Sequence, residues 1–190
     1  MFKDLPVMLF KTQKAWAAWL DKNHSKSSGV WLRIARKGSE IESVSYAEGV
    51  EVALCHGWID GQKEKYDESS WLQKFTPRGK KSIWSKINRE KAQELINKGQ
   101  MKPAGLTAIE NARQNGRWEA AYDSPSLASV PSDFQAELEK SPAAKVFFAT
   151  LNGANRYAIL FRIQTAKKAE TRARRIQEFI SMLEKKETLH

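Results

Sequence analysis

The sequence predicts an α+β fold: a small antiparallel sheet packed with helices, followed by a C-terminal helical subdomain. Three observations carry this reading. Apolar residues alternate with a period of two in short stretches confined to the first part of the chain, the mark of half-buried strands. From Ile83 onward the spacing becomes helical. A Ser- and Pro-rich segment, Tyr122–Ser132, then sets off a last part in which every signal is helical.

Taken in order, Ala15, Trp16, Trp19 and Leu20 put an apolar stripe on a short helix over Thr12–Leu20 that ends near Asp21–Asn23. Val30, Leu32 and Ile34 alternate with Trp31, Arg33 and Ala35 in a strand that Lys37-Gly38 turns. Ser45-Tyr46-Ala47-Glu48 is a capping-box sequence opening a helix that runs to about His56, where Gly57 stops it. Trp58-Ile59-Asp60-Gly61 reads as a strand running into an Asp-Gly turn. Lys63–Tyr66 and Trp71–Phe75 read as further strands around Asp67-Glu68-Ser69-Ser70.

Ile87, Leu95 and Ile96 suit a helix closed by Lys98-Gly99, and Pro103–Arg113 suits a second, closed by Asn115-Gly116. Beyond the linker-like segment, helices are expected over Asp133–Lys140, Pro142–Leu151, Asn155–Ile163 and Lys167–Lys186, with Pro142 at a first helical position. The organisation this predicts is an α+β core over residues 1–121, a connecting segment over 122–132 and a helical subdomain over 133–190.

A chain of 190 residues with 41% apolar content, seven Trp and eight Phe has ample material for a core, and suits one domain, or one with an appended helical piece. The lone Cys55 has no partner for an intramolecular disulfide. The apolar run Leu5–Phe10, between Asp4 and Lys11, is too short for a secretory h-region, and no run reaches the ~18 residues that span a bilayer, so the cytoplasm is the expected compartment. A net charge of +10 attracts polyanions: nucleic acid, acidic protein surfaces or anionic headgroups.

That charge is concentrated. Lys74, Arg78, Lys80, Lys81, Lys86 and Arg89 lie in Leu72–Arg89, which contains no acidic residue and carries Phe75 and Trp84 between the cations. Such interleaving suits phosphate contact with base stacking; equally, large aromatics are usually buried, and the two rings then anchor the core under a solvated loop. On the last helix Ala169, Ala173, Ile176, Phe179, Ile180 and Leu183 share one face. Lys167, Arg174 and Lys185 lie opposite, on a face diluted by Glu170, Glu178, Glu184 and Glu187.

Cys55-His56 does not read as a dyad, because adjacent helical residues diverge by about 100°. One Cys and three His are too few for a zinc site at recognisable spacing. No Gly-rich phosphate loop, G-x-S-x-G elbow or H-E-x-x-H occurs, so neither metal, cofactor nor catalytic residue is expected.

Ala53-Leu54-Cys55-His56-Gly57-Trp58-Ile59-Asp60-Gly61, Phe75-Thr76-Pro77-Arg78, Ser82-Ile83-Trp84-Ser85-Lys86-Ile87-Asn88 and Gly99-Gln100-Met101-Lys102-Pro103-Ala104-Gly105 resemble, in order and spacing, the YdeI/OmpD-associated family. The resemblance extends back to Trp19-Leu20 and Val30-Trp31-Leu32, and forward to Ala166-Lys167-Lys168-Ala169-Glu170-Thr171-Arg172-Ala173-Arg174-Arg175-Ile176. It implies a bacteriocin-protection protein linked to envelope stress, of a family sometimes called periplasmic, and brings no catalytic residues with it. Asp60, Arg78, Ser85 and Asn88 are the polar residues of the matching motifs and the candidate ligand site. Arg78 offers a fork to a carboxylate or phosphate, Ser85 and Asn88 orient it, and Asp60 acts as a base or pairs with Arg78. Without a ligand, a turn, a helix cap and an ion pair account for the same four residues. The expected function is therefore a non-enzymatic binding protein with a basic, aromatic-bearing surface; a nucleic-acid-binding protein and an enzyme or receptor for a small anion around Arg78 are the alternatives.

Overall fold

The computed structural model describes residues 5–190; Asp4, beside the apolar run, lies outside them. The chain divides into two compact units. One comprises the chain up to Trp84 with Asn88–Glu119, the other Ser85–Ile87 with Ala120–His190.

In the first unit β1 (Val7–Met8), α1 (Gln13–Asn23), β2 (Val30–Ala35), α2 (Tyr46–Cys55), β3 (Trp58–Lys65) and β4 (Ser70–Pro77) follow one another. Local chemistry sets the helix starts. The Thr12 hydroxyl accepts a hydrogen bond from the Ala15 amide, and Ser45 and Glu48 close the expected capping box on α2. The sheet order is β1-β2-β4-β3. Pairing of β2 with β4 and of β4 with β3 is antiparallel, whereas β1 adds a parallel edge beside β2. The sheet is therefore mixed rather than purely antiparallel; a two-residue strand is too short to show alternation in sequence.

One expected turn is absent. β3 runs through Asp60-Gly61, and its register with β4 shifts between Asp60 and Lys63, so the Asp-Gly pair lies in a bulge and the two expected short strands are one. Gln73 Nε2, buried opposite, donates to the carbonyls of Gly61 and Gln62 at 2.8 and 3.3 Å, satisfying groups that the ladder leaves over. The chain reverses instead at Asp67, whose carboxylate accepts from the Ser69 amide at 2.9 Å.

Val30, Leu32 and Ile34 of β2 and Phe75 of β4 face α1 and α2, with Trp16, Leu20, Val52 and Trp58 completing a core of buried side chains. Each such apolar side chain contributes about 2 kcal/mol of hydrophobic stabilisation. Trp16 is fully buried, and its indole N–H donates to the Gly49 carbonyl at 3.1 Å. A Cβ at Gly49 would stand 3.2 Å from Leu32 Cδ2, which accounts for a glycine in mid-helix. α4 (Pro103–Gln114) crosses the C-terminal end of α2 at similarly close range: a Cβ at Gly105 would meet the Cys55 carbonyl oxygen at 2.4 Å. α3 (Lys86–Asn97) buries Ala92 and Leu95.

In the second unit α5 (Ser132–Lys140), α6 (Pro142–Thr150), α7 (Gly153–Gln164) and α8 (Ala169–Glu184) enclose Phe134, Leu138, Phe148, Ile159, Ile163 and Leu183. The Asn152 side chain caps α7 through the Asn155 amide, and Ser141 caps α6 before Pro142. Arg172 of α8 meets Asp133 of α5 with two parallel bonds, at 2.6 and 2.8 Å, and donates to the Ile163 carbonyl of α7 at 2.9 Å. The buried stripe of α8 begins only at Ile176; Ala169 and Ala173, expected on it, are exposed. Among the described residues no helix is long and apolar enough to cross a membrane.

Candidate functional site

Arg78 follows the last residue of β4, and the backbone places it. Its amide donates to the Gly57 carbonyl at 2.9 Å. Gly57 itself has φ +72°, the left-handed conformation that ends α2, and a Cβ there would stand 2.7 Å from the Ala104 carbonyl oxygen. The loop beyond folds back: the Ser82 hydroxyl accepts from the Gly79 amide at 3.0 Å, and the Ser82 amide donates to the Gly79 carbonyl at 2.9 Å. The Arg78 guanidinium thereby lies 3.6 Å over the Trp84 ring and donates to the Ile83 carbonyl at 3.2 Å.

Trp84, 2% exposed, meets Trp118 edge-on at 4.9 Å. Around this pair stand Arg89, which donates to the Trp118 carbonyl at 3.2 Å, and Arg113, whose guanidinium lies 5.4 Å over the Trp118 ring. Arg117 donates from Nη1 to the Lys80 carbonyl at 2.5 Å, while its buried Nε has no hydrogen-bond partner among the described residues. A small cavity of about 60 Å³ opens here, lined by Arg78, Lys80, Ser82, Trp84, Asn111 and Asn115 together with small residues. Among the described residues no carboxylate lines it. Two cationic side chains, a hydroxyl and two amides with no counter-charge make a setting for a small oxyanion.

The four candidate ligand residues are not gathered in this cavity; of them, Arg78 alone lines it. Asp60 sits on the helix-facing side of β3 and accepts from the Tyr46 hydroxyl at 2.7 Å, tying β3 to the first turn of α2. Asn88 is half-buried in the first turn of α3, and Ser85 belongs to the second unit, where it bridges Tyr122. The basic stretch is likewise divided. Lys74 lies 5.7 Å over Trp31, Lys86 pairs with Asp123 at 2.6 Å in the second unit, and Lys81 is exposed on the Arg78 loop. Phe75 is fully buried, so with Trp84 it serves the core and offers no ring face for base stacking. Asn111, Asn115, Arg113 and Arg117 were not legible as site residues. The one available signal, basic residues four apart around Asn115-Gly116, becomes meaningful only once α4 packs beside the loop.

Cys55 and His56 behave as separate groups. Burial, with Glu51 nearby, pushes the Cys55 thiol up to about 11, so it holds its proton at neutral pH. His56, 3% exposed, directs Nδ1 to the Val52 carbonyl at 2.8 Å and Nε2 to the Asp21 carboxylate at 2.9 Å. Among the described residues no group of three or more His, Cys, Asp or Glu is placed to hold a metal ion.

Fold and site together define an α+β protein with a small cationic cavity, joined in one chain to a bundle of helices. Residues 8–108, more than half of the chain, match the family described as Domain of unknown function (DUF8412), and the chain belongs to that family. Residues 128–186 match the family described as Bacteriocin-protection, YdeI or OmpD-Associated, so the resemblance seen in sequence holds for one of two domains. The motifs between Ala53 and Gly105 lie in the first match, and Ala166–Ile176 in the second. No curated protein and no solved structure matches the chain.

Proposed function

We propose that the chain is a non-enzymatic binding protein of the bacteriocin-protection type, linked to envelope stress, and that it meets an anionic partner at the loop around Arg78. The observation that carries the anion is the lining of the Arg78 cavity, two cations with hydroxyl and amide donors and, among the described residues, no carboxylate. Support for the protective role is the family match over residues 128–186. In this proposal residues 1–121 hold the anion site, 122–132 connect, and 133–190 form the protection-type domain. Burial of Phe75 and Trp84 counts against the nucleic-acid alternative, which needs exposed rings.

The test is a titration with inorganic phosphate at low ionic strength, followed by amide NMR shifts. Saturable shifts at Arg78, Lys80, Ser82 and Asn115 that added salt weakens are expected, and Arg78→Met should abolish them. Absence of shifts, or an unchanged response in Arg78→Met, overturns the anion site. In cells challenged with a bacteriocin, the chain should raise survival and the Arg78→Met chain should not.

A further inference from the structure

The fold leaves the cations around the Arg78 cavity uncompensated. Lys80, Lys81, Arg89, Arg113 and Arg117 form no ion pair among the described residues, whereas Lys91, Arg172 and Arg174 each meet a carboxylate within 3.0 Å. The carboxylates nearest to them in the chain are Glu90, Glu110 and Glu119. Glu110 accepts from the Gln114 amide group at 3.0 Å, and exposed Glu90 and Glu119 pair with none of the five. Like charges gathered without partners repel one another, and an anion placed among them relieves that repulsion.

Arg117 stands at the rim of the cavity. Its guanidinium donates to the Lys80 carbonyl at 2.5 Å, and its backbone amide donates to the Asn115 side-chain oxygen at 3.2 Å. Lys80 and Asn115 are both exposed residues of the cavity lining, so Arg117 is fastened to two points of its opening. A cavity of about 60 Å³ has room for one tetrahedral oxyanion. A second anionic group on the same ligand lies outside it, beside Arg117.

Given the reading of the Arg78 cavity as an oxyanion site, on which this step rests, we infer that the group recognised there is a diphosphate. One phosphate enters the cavity against Arg78, and the other lies at the rim against Arg117. Two phosphates joined through one oxygen hold the second charge beside the first, and an arginine fork meets phosphate oxygens with paired bonds. Trp84 and Trp118 are 2% and 8% exposed and offer no ring face to the rest of the ligand, so the substituent on the diphosphate leaves toward solvent. Nucleoside diphosphates and diphosphate esters of lipid alcohols both present this group.

The test titrates phosphate, pyrophosphate, ADP and geranyl diphosphate separately, without divalent cations and at one ionic strength, into the full chain and its Arg117→Met and Lys81→Met variants, by calorimetry and amide NMR. Pyrophosphate should bind about tenfold more tightly than phosphate, with shifts reaching from Arg78 and Ser82 to Arg117. Arg117→Met should bind phosphate within about twofold of the parent chain and lose the preference for pyrophosphate. Lys81→Met removes the same charge from the exposed loop and should keep the preference, which separates a placed second phosphate from the general attraction of a basic surface. ADP and geranyl diphosphate should both bind like pyrophosphate; tighter binding of one names the soluble or the lipid source. No binding of phosphate removes the anion reading of the Arg78 cavity and this inference with it. The second subsite alone is overturned if phosphate binds and pyrophosphate binds no more tightly, if the two variants lose the preference equally, or if Arg117→Met loses phosphate as well.

Discussion

The guanidinium of Arg78 lies 3.6 Å above the Trp84 ring, and that stacking aims the cation at the loop cavity rather than at bulk water. A flat guanidinium can stack and still direct N–H groups along its edge, which a lysine ammonium cannot do. Arg78→Lys should therefore keep the charge, lose the geometry and weaken phosphate about tenfold, or ~1.4 kcal/mol. Calorimetric titration of the two proteins at one salt concentration checks it.

Packing of α4 on α2 rests on Gly105. A methyl group there would stand 2.4 Å from both the Cys55 carbonyl oxygen and Met101 Sδ, and the first of these is backbone. Gly105→Ala should cost about 2–3 kcal/mol through overpacking, despite alanine's better helix propensity. Urea denaturation gives the value, and a neutral or stabilising result would contradict the close approach.

Trp16 separates two contributions in the core. Trp16→Phe keeps an aromatic ring but loses the bond to the Gly49 carbonyl, and should cost about 1–2 kcal/mol; Trp16→Ala also leaves a large cavity and should cost about 3–5 kcal/mol. The same denaturation experiment ranks the pair.

Acid should loosen the second unit through Asp133. The bond from Arg172 holds its carboxyl below the ordinary value of 3.8, against the opposing effect of burial. The folded state therefore takes up this proton less readily than the unfolded state. Stability from the pair is complete above the ordinary value and is lost as pH falls through it toward the lower folded value. Asp133→Asn should lower stability at neutral pH by about 1 kcal/mol, a partly exposed pair being worth little more, and should flatten the acid limb of melting temperature against pH. Parallel curves for the two proteins would show that the pair is not linked to acid unfolding.

Most of the secondary structure was legible because it is encoded locally. Ser45 and Glu48 are three residues apart and close their capping box whatever surrounds them. The alternation of Val30, Leu32 and Ile34, and the stripe from Ile176 to Leu183, are one-dimensional records of which side is buried. The Asp60-Gly61 turn failed for the converse reason. Asp-Gly suits a turn or a bulge, and pairing with β4, sealed by Gln73 from the opposite strand, selected the bulge.

For the site, the chain's own order of residues marked Arg78 and the acid-free stretch around it, since charge and composition are local properties. Which cations converge is a matter of distance in space. Lys86 was drawn to Asp123 and Asp60 to Tyr46, while Asn111, Asn115 and Arg117 reached the Arg78 loop from more than thirty positions away because α4 packs there. Closeness between residues remote in sequence is produced by the burial of a shared core, and no local pattern records it.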